Sequence, residues 1–275
     1  RRRPLRARRR SGRRLMCRHL AYLGPPRSVA SLLYDPAQSL EQQSWKPLHQ
    51  REGAMNADGW GVGWWDSDVR DAPARYRTNA PMWTDSSLRS VAEVVHAGAI
   101  MAAVRSATPP SPIVDTGNAP FSSGPWLFSL NGFISGFRGE VGEELRRSVS
   151  HTRAIGIEGT TDSEVLFALV LDALDAGATP AAALARVTAE VLAHTDARLN
   201  LLLADGHGIA ASACGNSLFT LVDQGLAAGG VLVASEPLDD HHAWTKVPDG
   251  SVVEAAVGGV RTTGLSIEEE PDEHA

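Results

Sequence analysis

Hydrophobic and polar residues alternate at several places along the chain, and this alternation predicts β-strands. The first predicted strand covers residues 18–23, and a following Gly-Pro-Pro is expected to end it. Residues 100–104 and 126–130 are apolar runs typical of buried strands. Residues 199–204 and 209–214 flank an Asp-Gly-His-Gly turn, which predicts a hairpin.

Other segments repeat their apolar residues at helical spacing. Residues 86–95 and 140–150 predict two helices. The strongest helix signal is Thr161 followed by Glu164, a capping box that places a helix start at this point. A second long helix is expected to begin at Pro180, because proline suits the first helical position.

The remaining segments predict loops and further strands. Residues 39–55 show neither period and are predicted to form a long loop, whereas residues 66–81 predict a hairpin. Residues 218–222 and 231–234 are expected to continue the sheet of the hairpin at 199–214. In residues 56–63, three alternating glycines indicate close approach of a backbone or a ligand; no Gly-Lys-Ser/Thr follows, which disfavours a phosphate loop.

Composition and charge narrow the class of protein. The chain has 275 residues, of which 43% are hydrophobic and 21% charged, as in ordinary globular domains. No apolar run reaches 18 residues, which disfavours a membrane partner. Residues 1–15 hold nine arginines and no acid, so the formal charge of −6 becomes −15 without them. An acidic body disfavours nucleic acid as a partner.

The basic block itself has three interpretations. It fits a nucleic-acid arm, an arginine-rich transit peptide, or upstream sequence that is no part of the mature protein. We favour the last, because the first methionine is Met16. Residues 1–15 are therefore predicted to be a basic extension absent from the mature protein.

Two cysteines, Cys17 and Cys214, are too few for a disulfide framework and favour a reduced, cytoplasmic setting. Cys17 directly follows Met16. If Met16 is removed, Cys17 carries both a thiol nucleophile and an α-amine, whose pKa of about 7.7–8.0 suits a base. A buried apolar role is the alternative for Cys17.

His19, on the same strand face, is a second candidate base, although a structural histidine fits equally well.

Three further sites carry candidate chemistry. Arg105 ends an apolar strand before a proline-rich loop, so it suits either a carboxylate clamp or a structural ion pair. Asn131 and Gly132 form either a plain turn or an oxyanion hole. Asp162 lies in the first turn of a helix, where the helix dipole alone explains it. Residues 235–242 contain acids and histidines but fit no metal signature, and no metal or cofactor is expected.

In chain order, these segments resemble the class II glutamine amidotransferases, which are N-terminal-nucleophile enzymes. The resemblance covers most of residues 16–240. Ser106 stands where that family has an aromatic residue, and Leu130 where it commonly has histidine. The segments that carry the resemblance are Met-Cys at 16–17, Asn-Ala-Asp-Gly-Trp-Gly at 56–61, Arg-Ser-Ala-Thr at 105–108, Asn-Gly at 131–132 and Thr-Asp-Ser-Glu at 161–164.

The resemblance implies an α+β fold, a four-layer αββα sandwich of two antiparallel sheets. It implies one domain over residues 16–265, followed by an acidic tail at 266–275. Residues 16–26 are most similar to a branch of the family that removes glutamate from γ-glutamyl-hercynylcysteine sulfoxide in ergothioneine biosynthesis. The resemblance further implies Cys17 as nucleophile, Asn131 and Gly132 as oxyanion donors, Arg105 on the α-carboxylate, Asp162 on the α-ammonium, and Thr108 beside the substrate.

A small γ-glutamyl compound is thus the expected partner, without nucleic acid or membrane. Two other functions remain open from the sequence. One is a glutaminase subunit that supplies ammonia to a separate synthase. The other is a catalytically inactive interaction module.

Overall fold

The computed structural model describes residues 17–49, 55–107 and 112–265. The basic extension predicted at 1–15, Met16, Thr108 and the acidic tail predicted at 266–275 lie outside these ranges.

The strands of the described ranges form two antiparallel sheets. In chain order they are β1 (Arg18–Ser28), β2 (Trp60–Trp64), β3 (Ala74–Thr78), β4 (His96–Val104), β5 (Phe121–Ser123), β6 (Trp126–Ile134), β7 (Ala197–Ala204), β8 (Ile209–Ala213), β9 (Phe219–Val222), β10 (Val231–Ala234), β11 (Thr245–Lys246), β12 (Ser251–Ala256) and β13 (Gly259–Gly264). Sheet A has the order β11-β9-β10-β1-β4-β2-β3, and sheet B the order β13-β12-β8-β7-β6-β5.

Helices cover the outer face of each sheet. They are α1 (Ala30–Leu33), α2 (Leu40–Trp45), α3 (Ser86–Val94), α4 (Glu140–Ser148), α5 (His151–Ala154), α6 (Asp162–Asp175) and α7 (Pro180–His194) in the described part of the chain. Leu33 of α1 belongs to one buried apolar cluster with Tyr22 of β1, on sheet A. Leu166 of α6 belongs to another with Phe128 of β6, on sheet B.

The two sheets face each other across a third apolar cluster. Ala21 and Met101 of sheet A are buried there with Leu127 and Leu202 of sheet B. Side chains alternate along a strand, so neighbouring residues of β1 serve different layers: Ala21 faces sheet B, and Tyr22 faces the helices. The α+β class and the four-layer αββα sandwich expected from the sequence are confirmed.

Both long helices begin where the sequence predicts. At α6, the Oγ1 of Thr161 accepts a hydrogen bond from the Glu164 backbone N–H at 3.3 Å, and the Glu164 carboxylate accepts one from the Thr161 N–H at 3.1 Å. At α7, Thr179 caps the helix and Pro180 occupies its first turn. The hairpin predicted at 199–214 is also present, as β7–β8. Of the hairpin predicted at 66–81, only the second strand, β3, lies in that range; it pairs with β2, which precedes residue 66.

Three expectations are wrong. The loop predicted at 39–55 contains helix α2, because the Oγ of Ser39 caps it by accepting from the Gln42 N–H at 3.2 Å. Gly-Pro-Pro does not end the first strand, because β1 accommodates it in a bulge between Leu23 and Arg27. Strands β9 and β10 do not continue the hairpin sheet, since β10 pairs with β1 of sheet A.

No helix of the described ranges is long and apolar enough to cross a membrane.

Candidate active site

A cavity of about 270 Å³ opens where the ends of the two sheets meet. Its walls come from the residue before β1, the end of β4, the second half of β6 and the start of α6. Four residues predicted to act chemically lie on these walls: Cys17, Arg105, Gly132 and Asp162. The fold therefore brings together residues that are far apart in the sequence.

Cys17 is half-buried at the edge of this cavity, directly before β1. Burial raises the pKa of its thiol. A hydrogen bond from the Ser106 backbone N–H and the positive charge of Arg105 act in the opposite direction. Burial is the larger influence, so the thiol form predominates near neutral pH, and attack by the sulfur requires a base.

Arg105 follows β4 and is 9% exposed. Its Nη1 lies 3.5 Å from the Oδ1 of Asn118, and its Nη2 donates to the Pro112 carbonyl at 3.3 Å. No acidic residue of the described ranges forms an ion pair with it, so the structural ion pair considered from the sequence is not found there. Gly117 gives its guanidinium room, because a Cβ at that position would lie 2.8 Å from Nη1.

Asp162 is the first residue of α6. Its carboxylate accepts a hydrogen bond from the Ser163 N–H at 2.9 Å and another from the backbone of Ile134. Burial raises the pKa of this carboxyl, and the backbone donors partly offset the shift. The preceding turn is fixed by Glu164, whose carboxylate accepts from the Gly159 N–H at 2.6 Å. Asp162 is thus held rigidly on the cavity wall.

Asn131 and Gly132 lie within β6, opposite Asn200 and Leu199 of β7. The plain turn considered from the sequence is therefore wrong. A Cβ on Gly132 would lie only 1.8 Å from the backbone oxygen of Arg198, so the strand tolerates only glycine there without shifting. Asn131 is fully buried outside the cavity lining, and its Nδ2 donates to the Oγ of Ser235 at 3.2 Å.

Comparison with known proteins identifies the family. The sequence profile described as "Glutamine amidotransferases class-II" matches residues 37–226. The chain belongs to the class II glutamine amidotransferases. The expected resemblance is thereby confirmed.

Two curated relatives of this amidotransferase carry the same name, "Gamma-glutamyl-hercynylcysteine sulfoxide hydrolase". The protein from Mycolicibacterium smegmatis is 39% identical over 254 residues, which cover 91% of this chain and 100% of the relative. The protein from Mycobacterium tuberculosis is 41% identical, with coverage of 91% and 97%. A solved structure, the glutamine aminotransferase class-II domain protein from Silicibacter pomeroyi, is 26% identical with a TM-score of 0.66, covering 91% of this chain and 100% of that one.

The second candidate base, His19, does not line the cavity of this amidotransferase. It is fully buried, and its Nδ1 lies 3.1 Å from the Oγ of Ser129. Burial, reinforced by the charge of Arg18, lowers the pKa of His19 to about 3. The imidazole is therefore neutral near pH 7 and too weak a base to deprotonate a thiol.

Two contributors to the site carried no signal in the sequence. Ser106 acts through its backbone N–H, which any residue type would supply. Ser235 opens the loop at 235–242, where only a metal site was considered. No group of histidine, cysteine or acidic residues in the described ranges is arranged to hold a metal ion.

Proposed function

We propose that this class II glutamine amidotransferase hydrolyses a γ-glutamyl amide bond and uses Cys17 as its nucleophile. The observation that carries the proposal is the convergence of the Cys17 thiol, the Arg105 guanidinium and the Asp162 carboxylate on one cavity. The names of the two mycobacterial relatives support γ-glutamyl-hercynylcysteine sulfoxide as the substrate.

The two charged residues match the two charges of a glutamyl group. We assign the α-carboxylate to Arg105, whose planar fork binds carboxylates and which lacks an acidic partner in the described ranges. We assign the α-ammonium to Asp162 on the same cavity. We assign Thr108 to the substrate-binding residues on the family resemblance alone. Holding both ends of the glutamyl group would place its γ-carbonyl next to the thiol, which lowers the entropic part of the barrier.

In the proposed reaction, the Sγ of Cys17 attacks the γ-carbonyl carbon and a sulfur–carbon bond forms. The thiol proton passes to the base and then to the departing nitrogen as the carbon–nitrogen bond breaks. Water then hydrolyses the glutamyl thioester, which releases glutamate and restores the thiol. Asn131 does not itself line the cavity, but its neighbours Leu130 and Gly132 do, and the Gly132 N–H and the Asn131 Nδ2 are the proposed oxyanion donors. Nδ2 carries two hydrogens, so donating to Ser235 leaves one for the oxyanion.

We propose that the base is the α-amine of Cys17. The raised pKa of the thiol requires a base, and His19 is unsuitable with a pKa of about 3. A free α-amine requires that Cys17 be the first residue, with Met16 and the basic extension absent. In this proposal, the catalytic domain covers residues 16–265 as synthesised, and Met16 is then removed from it. A free catalytic thiol works only where it stays reduced, which supports a cytoplasmic location.

The test uses protein produced from Met16. We expect the intact mass of the purified protein to correspond to a chain that lacks Met16 and starts at Cys17. We further expect glutamate release from γ-glutamyl-hercynylcysteine sulfoxide with a kcat/KM far above that for L-glutamine. Equal or faster hydrolysis of glutamine would instead indicate a glutaminase subunit. Full activity with Met16 retained would exclude the terminal-amine mechanism.

A further inference from the structure

A buried ion pair lies directly behind the proposed nucleophile. The Nε of Arg18 donates to the Oε1 of Glu236 at 2.7 Å, and the side chains are only 1% and 2% exposed. Arg18 is the first residue of β1, and Glu236 follows shortly after β10, the neighbouring strand. Neither residue lines the cavity.

The pair lies on the opposite face of sheet A from the cavity. Side chains alternate along β1, and Leu20 faces the helical layer. Arg18, two residues away, shares that face, whereas His19 reaches the Oγ of Ser129 in sheet B. The ion pair therefore cannot touch a substrate held in the cavity. An effect on the reaction has to pass through the backbone of Cys17 or through the positive charge of Arg18, which lowers the pKa of the Cys17 thiol.

A direct hydrogen bond supplies the backbone route. The Nη1 of Arg18 donates to the carbonyl oxygen of Cys17 at 2.8 Å. The other carboxylate oxygen of Glu236 accepts from the Leu48 N–H at 2.7 Å, which anchors the acid in turn. The paired residues of β1 begin at Arg18, so this side-chain contact holds a residue just outside the ladder with β4.

Stability alone accounts poorly for this arrangement. Removing two charges from water costs free energy that their attraction often fails to recover, and apolar replacements are frequently as stable or more so. The Nη2 of Arg18 is also buried with no hydrogen-bond partner in the described ranges, an added cost. What an apolar pair cannot supply is a donor to the Cys17 carbonyl.

We propose that Arg18 and Glu236 are positioning residues, which fix the backbone of Cys17 so that its thiol and α-amine face the cavity. This inference rests on the proposed role of Cys17 as nucleophile. Glu236 orients the guanidinium through Nε, and the guanidinium holds the Cys17 carbonyl through Nη1. We expect Arg105 and Asp162 to keep their positions when the pair is removed, because the hydrogen bonds of the pair go to Cys17 and Leu48.

The test is the double variant Arg18→Met/Glu236→Leu, made from Met16 and assayed with γ-glutamyl-hercynylcysteine sulfoxide. Its matched control is Arg89→Met/Glu41→Leu, which removes a more exposed pair of 3.0 Å. We expect a melting temperature close to the wild type in both. We expect kcat to fall at least about tenfold with little change in KM in the first variant only, since small misplacements of reacting groups are costly.

Arg18→Lys covers the case in which the double variant does not fold. Lysine keeps the charge next to Glu236 but lacks a second arm for the Cys17 carbonyl, so kcat should fall by a similar factor. Wild-type kcat in whichever of these variants folds would overturn the positioning role. Cys17→Ala separates the two proposals: turnover by that variant would overturn the proposed function, whereas its inactivity beside a fully active double variant would overturn only the positioning role.

Discussion

Asn131 donates a hydrogen bond from its Nδ2 to the Oγ of Ser235 at 3.2 Å, and the same oxygen accepts from the His19 backbone N–H at 3.0 Å. His19 lies in β1 of sheet A, and Asn131 in β6 of sheet B. One buried hydroxyl therefore connects the strand that follows Cys17 to the proposed oxyanion donor. This hydroxyl therefore links the two sheets at the place where the nucleophile and the oxyanion donor have to be correctly positioned relative to each other.

Ser235→Ala tests this connection. Without the hydroxyl, the Asn131 amide keeps only the longer contact of 3.4 Å from the Asn216 Nδ2 to its Oδ1, and its Nδ2 loses its acceptor. We therefore expect kcat to fall about tenfold or more with KM little changed. Leaving buried donors unpaired should also cost about 1–3 kcal/mol of unfolding free energy. Ser212→Ala is the matched control, because Ser212 is equally buried but bonds to Leu199 and Leu201 within sheet B. A comparable loss of kcat in both variants would contradict the specific role of Ser235.

The two cysteines should respond differently to removal. Cys17→Ala is expected to abolish glutamate release while the melting curve stays cooperative, because the thiol lies on the cavity. Cys214 follows β8, half-buried against the helical side of sheet B, so Cys214→Ala should retain most activity. Steady-state rates of the two variants check this. An active Cys17→Ala protein would show that the nucleophile is wrongly assigned.

Patterns based on local chemistry predicted the elements well. The capping box at Thr161 and the proline at position 180 depend only on residues within one helical turn. Both helix starts could therefore be predicted from the sequence alone. Helix α2 was missed although Ser39 followed by Gln42 fits the capping-box pattern, because its six residues are too few to show an apolar repeat. The placement of β10 next to β1 depends on a pairing of residues more than 200 positions apart, and no local pattern encodes such a pairing.

Some residues of the candidate site could likewise be predicted from the sequence, and others could not. Cys17, Arg105, Gly132 and Asp162 were identified by motif, and they meet on one cavity. Ser235 and Glu236 act by hydrogen bonds to residues more than 100 positions away, so only the folded chain shows them. The protonation state of His19 also depends on burial, which its neighbours in sequence do not determine.

Stability should depend on pH through His19. Because its pKa falls from 6.5 unfolded to about 3 folded, the unfolded chain binds a proton first as the pH drops. The contribution of His19 to stability is therefore complete above about pH 6.5 and is lost progressively as the pH falls toward 3, by about 1.4 kcal/mol per pH unit. Urea unfolding from pH 7 to 4 should show a weaker pH dependence in His19→Gln than in the wild type. Equal slopes would contradict a neutral buried imidazole.

Gly132→Ala should be far more damaging than a typical glycine substitution. Its Cβ would lie 1.8 Å from the Arg198 oxygen, so β6 and β7 have to separate next to the cavity. We expect a loss of several kcal/mol in unfolding free energy, as for other overpacked sites, together with a large loss of kcat. Gly264→Ala, with nothing within 4 Å of its Cβ, is the control and should be nearly neutral. Melting temperatures and steady-state rates of both variants test this prediction, and similar losses in the two variants would contradict it.

Asp162→Asn separates a binding role from a structural one. Burial raises the pKa of the Asp162 carboxyl, so its ionised form costs folding free energy at neutral pH. The variant should therefore melt at the same temperature as the wild type or higher. If the carboxylate binds the α-ammonium, kcat/KM should nevertheless fall by about tenfold or more, the loss expected when a charged partner is removed.

The pattern across substrates makes the assignment of Asp162 testable in full. The α-ammonium belongs to the glutamyl half, so the same loss should appear for every γ-glutamyl amide, whatever its leaving group. Asp175→Asn, on the same helix but in a surface ion pair with Arg153, should leave kcat/KM unchanged. A defect of Asp162→Asn confined to one leaving group would place the carboxylate on the other side of the scissile bond, because only contacts beyond that bond distinguish one leaving group from another.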